Sequence, residues 1–135
     1  MITKTNEIIF SSEPSNIVLV EKFIDDVFKE VQIKDEMYGN VLVAVSEAVT
    51  NAMIHGNKAN EAKNVTLGIS LPKGNNVCFT IEDEGIGFDP EVVPDPTSPE
   101  NIEKPNGRGI FLMKHLADKV DFEKNGARVH IEFSF

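Results

Sequence analysis

Ser46-Glu47-Ala48-Val49-Thr50-Asn51-Ala52-Met53-Ile54-His55-Gly56-Asn57 sets a carboxylate and a carboxamide four residues apart in an otherwise apolar segment. On an α-helix, positions i and i+4 share a face and lie about 6 Å apart along the axis, so Glu47 and Asn51 can reach one ligand. The helix is expected over Asp35 to His55, because Met37, Val41, Ala44, Val45, Ala48 and Ala52 recur at spacings of three and four. Val43 and Ile54 fall on the other side, and Asn40, Glu47 and Asn51 stand at the border of the apolar stripe. A charged group at that border either lines a pocket or meets solvent, and the helix by itself leaves both open.

The 135-residue chain is expected to form one domain, residues 1–135, with a single core that buries roughly two-thirds of its unfolded surface. A net charge of −9 repels nucleic acid and anionic membranes, so no direct nucleic-acid partner and no membrane surface is expected. No apolar run approaches a membrane span, and Met1 to Phe10 lacks the apolar centre of a signal peptide, which together imply a cytoplasmic protein. The single cysteine, Cys78, lies in the alternation NVCFTIED and is expected to be a small buried strand residue.

Outward from the central helix, Thr3 to Phe10 is suited to a first strand, and Ser12 with Pro14 suggests a capped helix start. Ile17, Val20, Phe23, Ile24, Val27, Phe28 and Val31 then form a wide apolar stripe, which leaves Val18 and Leu19 outside it. Gly56-Asn57 is expected to stop the central helix. Val65 to Leu71 and Val77 to Glu82 read as an antiparallel pair of strands. Five prolines between Phe88 and Asn106 mark a long loop, about 88–106, with the character of a lid. Gly107 to Leu116 resumes helical spacing, and Lys119 to Glu123 with Ala127 to Phe135 alternate as a closing hairpin around Asn125-Gly126. This order of elements predicts an α+β fold with one sheet covered by helices on one face.

Two further segments can bind a ligand. Asp83-Glu84-Gly85-Ile86-Gly87 follows an apolar strand, and a buried Asp, an acceptor only, would select a base that offers an amino group, as adenine does and guanine at that edge does not. Gly85 and Gly87 allow close approach of backbone to a flat ring; alone, the same five residues also describe an ordinary strand-to-loop turn. Gly107-Arg108-Gly109-Ile110 joins glycines and an arginine at a helix start, which suits phosphate, or it is a hinge with a solvated arginine. His55 is best explained by its place at a helix C-terminus, and His115 and His130 have no partners at metal-ligand spacing.

In this order, Glu47-x-x-x-Asn51, Asp83-x-Gly85-x-Gly87 and Gly107-Arg108-Gly109 resemble the N, G1 and G2 boxes of the Bergerat-fold ATPases, which include gyrase, histidine kinases and MutL. The fuller wording SEAVTNAMIHGN, DEGIGFDP and NGRGIFLM is most similar to the anti-sigma factor serine kinases of bacterial partner-switching systems. That resemblance implies a two-layer α/β sandwich with a mixed, mainly antiparallel sheet. It also implies ATP and Mg²⁺ as cofactors, with Asn51 as the metal ligand, Glu47 as general base and Asp83 on the adenine amino group. Gly85 and Gly87 would form the pocket floor, and Gly107, Arg108, Gly109 and Ile110 the phosphate side, with Arg108 neutralising charge on the transferring group. The implied partners are an anti-anti-sigma factor of the STAS class, a sigma factor and a second copy of the chain. A non-catalytic, ATP-dependent binding regulator of the same fold is the alternative, and retention of Glu47 favours catalysis.

Overall fold

Strands whose side chains alternate between two environments bury every second residue, and that period sets the layers here. The computed structural model describes residues 6–31, 33–72, 75–85, 105–124 and 127–135. Five strands, β1 (Asn6–Ser11), β2 (Asn64–Ser70), β3 (Asn76–Asp83), β4 (Lys119–Glu123) and β5 (Arg128–Ser134), form one sheet in the order β1-β2-β3-β5-β4. Where a mixed, mainly antiparallel sheet was expected, all four pairings are antiparallel. The register aligns Ile69, Phe79, Ile131 and Val120 in one row and Leu67, Ile81, Val129 and Phe122 in the next. These rows face the helices, and Phe79 and Phe133 meet edge to face with centroids 6.2 Å apart. Each fully buried side chain of this kind contributes roughly 1.5–3 kcal/mol.

Among the described residues three helices cover that face: α1 (Ile17–Glu30), α2 (Tyr38–Asn51) and α3 (Pro105–Leu116). Val20, Ile24 and Val27 bury the stripe of α1, and Val41, Ala44, Val45, Ala48 and Val49 bury that of α2. Val18, Leu19, Val43 and Ile54 are exposed, as their positions off the stripes require. Tyr38 links the two helices by donating to Asp25 at 2.6 Å and packing edge-on against Phe28.

The expected central helix divides into three parts: a 3₁₀ turn at Asp35–Met37, α2, and a π-helical turn at Ala52–Gly56. The expected cap at Ser12 is absent. A short 3₁₀ turn at Pro14–Asn16 precedes α1, and Ser12 is instead the next inward position after Phe10, buried and donating through Oγ to the Lys63 carbonyl at 3.0 Å. The period of the strand has prevailed over the local capping preference. Cys78 also departs from expectation. It lies on the outer face between the buried Val77 and Phe79, half-buried, and burial pushes its thiol pKa up. The outer face is polar: Glu82 is held between Lys124 at 2.6 Å and Arg128 at 2.9 Å, and these cations keep its carboxyl below the usual range.

The third helix begins at Pro105 instead of Gly107, in keeping with the preference of proline for a first helical position. Of the expected lid at 88–106, Pro105 and Asn106 therefore belong to α3, and the rest lies outside the described residues. Among the described residues no helix is long and apolar enough to cross a membrane.

Candidate functional site

The alternation Val77, Phe79, Ile81 places its next inward position at Asp83, so the last residue of β3 directs a carboxylate toward the helix layer. Asp83 is only 7% exposed. Burial raises its pKa, and the Gly85 N–H, which donates to Oδ1 at 2.8 Å, partly offsets that rise. Asp83 lines a narrow cleft with Ala48, Asn51 and Ala52 of the α2 segment, Ile81 and Val129 of the sheet, Met113 of α3, Phe122 and Ala127. As it stands the cleft has a volume of about 10 Å³, room for a water molecule and not for a nucleobase, so its apolar lining and the Asp83 carboxylate give the chemistry of a site for an amino-bearing base without the open space for one.

Gly56 and Gly85 are built into the same corner. A Cβ on Gly56 would lie 2.1 Å from Asp83 Oδ2, and one on Gly85 would lie 1.9 Å from the Gly56 carbonyl oxygen. Both glycines are thus required by close approach. The left-handed residues that end the α2 segment are Lys58 and Ala59, with φ of 53° and 58°, so Gly56 is not the conformational stop its sequence position suggested.

Asn51 is buried, at 7% exposure, and its Nδ2 has no hydrogen-bond partner. A buried amide with an unmet donor costs about 1–3 kcal/mol, so the position favours a ligand that supplies the missing contact. Glu47 lies half-buried one turn earlier. Gly109 in the first turns of α3 closes on both: a Cβ there would stand 3.0 Å from Glu47 Oε2 and 3.1 and 3.3 Å from Asn51 Nδ2 and Oδ1. The first and third sequence segments therefore meet in space, and Asn51 and Asp83 line the same cleft. Pro105 has no N–H, and the backbone donors of Asn106 and Gly107 precede the first i→i−4 bond of α3, so they point out of its N-terminus. Ile110 is 3% exposed and packs in the core. Gly87 lies outside the described residues.

Two residues of this corner escaped the sequence reading as site residues, Gly56 and Asn57, and with them Ser12, which does not line the cleft and acts as a structural partner of Asn57. Asn57, 1% exposed, accepts from the Glu84 N–H through Oδ1 at 2.8 Å. Its Nδ2 donates to Ser12 Oγ and to the Asn64 carbonyl, each at 2.9 Å. The period of β1 could have identified Ser12, since it continues the inward series from Phe10. Burial and then Lys58 lower the pKa of His55, which opposes the charged form that a helix-end role would use. His130 bonds Thr80 and Glu123 on the outer face, away from the cleft. Among the described residues no group of three or more His, Cys, Asp or Glu could hold a metal by itself.

A pH dependence follows from Asp83. Because its folded pKa is raised, its contribution to stability is present below the unfolded value and is lost as pH rises through the folded value. Binding of an amino-bearing base has the opposite sign, since it uses the ionised form. Adenine-nucleotide affinity should fall on acidification at a pH above the ordinary Asp range of about 3.9, and titrations of Asp83→Asn should lack that component. Identical pH profiles for the two proteins would contradict the assignment.

The model of the histidine kinase-like ATPase domain matches residues 10–135. The chain is 29% identical over 115 residues to a protein named serine-protein kinase RsbW from Oceanobacillus iheyensis, covering 81% of this chain and 72% of that one. It is 37% identical over 91 residues to an anti-sigma F factor from Clostridium perfringens, covering 64% of each chain. Among solved structures, the RsbU and RsbW domains of a Mycobacterium tuberculosis protein share the fold at a TM-score of 0.66 and 14% identity, over 98% of this chain and 32% of that one. A blue-light activated histidine kinase from Erythrobacter litoralis does so at 0.58 and 20% identity, over 87% of this chain and 41% of that one. With the match extending from Phe10 to the last residue and the sheet, helices and cleft arranged as above, the chain belongs to the histidine kinase-like ATPase domain family.

Proposed function

We propose that this chain is an ATP-dependent serine protein kinase and anti-sigma factor, which phosphorylates an anti-anti-sigma partner of the STAS class and sequesters a sigma factor, acting as a cytoplasmic homodimer. The observation that carries the reading is the meeting of Glu47 and Asn51 with Gly109, which sets a carboxylate and a carboxamide against the first turns of α3. The names of the serine-protein kinase and anti-sigma relatives support the substrate and partner classes.

ATP with Mg²⁺ supplies the γ-phosphoryl group and the counter-charge for its transfer. Asp83 accepts from the amino group of adenine, and the carbonyl that guanine presents instead would leave the carboxylate unpaired. Gly85 and Gly56 let backbone line the ring. Asn51 would hold the metal through its carbonyl oxygen, a hard neutral ligand that leaves most coordination sites to phosphate and water. The N–H groups of Asn106 and Gly107 hold phosphate oxygens, and the guanidinium of Arg108 stabilises charge on the transferring group. Glu47 takes the proton of the incoming serine hydroxyl as the new oxygen–phosphorus bond forms and the bond from the γ-phosphorus to the bridging oxygen breaks, releasing ADP.

The test is transfer of label from γ-labelled ATP to a purified STAS-domain protein, followed by mapping of the modified residue. Label on a serine, from ATP and not from GTP, is the expected result. Tight ATP binding without transfer to any STAS protein encoded in the same genome would contradict the kinase reading.

A further inference from the structure

At one end of the sheet, three chain segments terminate side by side: Ser12 after β1, Asn64 at the start of β2, and Glu84 after β3. The turn that follows the α2 segment inserts Asn57 among them. Its side chain makes one contact to each, at 2.8–2.9 Å, and is 1% exposed. The Glu84 carboxylate closes the ring by accepting from the Asn64 N–H. Ser12 in turn donates to the Lys63 carbonyl.

This ring determines the alignment of two parts that must act on one nucleotide. The segment that carries Glu47 and Asn51 ends at Gly56, against the Asp83 carboxylate. After Asp83, two successive backbone donors are held by side chains: Glu84 N–H by Asn57 and Gly85 N–H by Asp83 itself. We infer that Asn57 is a positioning residue for adenine recognition, holding the turn after β3, and with it Asp83, at a fixed offset from the helix that carries Glu47 and Asn51.

The two ends of the carboxamide have separable tasks. Oδ1 holds the Glu84 turn, whereas Nδ2 joins the ends of β1 and β2, neither of which lines the cleft. Loss of the Oδ1 contact should therefore reach nucleotide binding, and loss of the Nδ2 contacts should reach stability. The inference rests on the kinase reading above, so the experiment includes a measurement that needs no nucleotide.

Asn57→Ala should raise the KM for ATP about tenfold or more, the scale of effect expected when a recognition group is displaced, while kcat at saturating ATP stays within about threefold. Without nucleotide, the Glu84 amide should exchange hydrogen faster than in the wild type. Ser12→Ala removes an Nδ2 partner only, and should lower Tm with KM within about twofold of wild type. If Asn57→Ala does not fold, Asn57→Asp decides the matter, because it keeps an oxygen for the Glu84 N–H and should keep KM within about threefold. Unchanged Glu84 exchange and unchanged KM in Asn57→Ala, or a tenfold KM rise in Asn57→Asp, would overturn the inference. Absence of ATP binding by the wild type would remove the kinase reading, and Glu84 exchange alone would then decide whether Asn57 holds the turn.

Discussion

Gly85→Ala is expected to weaken ATP binding by roughly 100-fold or more, equivalent to about 2.8 kcal/mol. The added methyl would lie 1.9 Å from the Gly56 carbonyl oxygen and 2.6 Å from its carbon. Both are backbone atoms and cannot rotate away as a side chain would. The clash must be relieved by separating the turn after β3 from the end of the α2 segment, and that separation moves Asp83, whose Oδ1 is tied to the Gly85 N–H. Overpacking of this kind also costs about 1–3 kcal/mol of stability, so Tm should fall in parallel. Calorimetric titration with ATP at a temperature where circular dichroism shows the variant folded separates the two effects. Wild-type affinity in a folded Gly85→Ala protein would show that the corner between Gly56 and Asp83 does not bind the base.

Glu47→Gln should lower phosphoryl transfer by about 10²–10⁴-fold, the range for loss of a general base, with ATP affinity nearly unchanged. The substitution keeps the shape of the side chain but removes its capacity to accept a proton. Asn51, Asp83 and Gly85 are untouched, so the nucleotide is still held. The contact with Gly109 at α3 also survives, since the amide occupies the place of the carboxylate. A single-turnover assay of label transfer at saturating ATP reads the chemical step directly. Equal rates for wild type and variant would remove Glu47 from catalysis and leave only a binding role for the α2 face.

The architecture was legible because its two periods are clear. The inward series of β2, β3 and β5 and the stripes of α1 and α2 are each long enough to fix a face, and the antiparallel hairpins followed from short connections. The contents of the corner were harder to foresee. Ser12 lies where a helix cap and an inward strand position compete, and the pairing of β1 with β2 decides for the strand position that the period of β1 offers. Gly56 sits where a helix stop is expected, and its true reason is the Asp83 carboxylate beside it, contributed from 27 positions further along the chain. Asn57 has no local signature because each of its three partners comes from a different strand end. Such contacts depend on the assembled sheet. By contrast, the inward phase of Asp83 could be read directly from β3.

Calorimetric titration of the wild-type protein and Asp83→Asn with ATP and GTP in the presence of Mg²⁺ decides whether Asp83 recognises adenine. The arrangement of Asp83, Asn51 and the glycines predicts that the wild type binds ATP and discriminates against GTP, and that Asp83→Asn loses most of both affinity and discrimination. Equal affinity for ATP and GTP in the wild type, or an Asp83→Asn protein that still selects ATP, would contradict it.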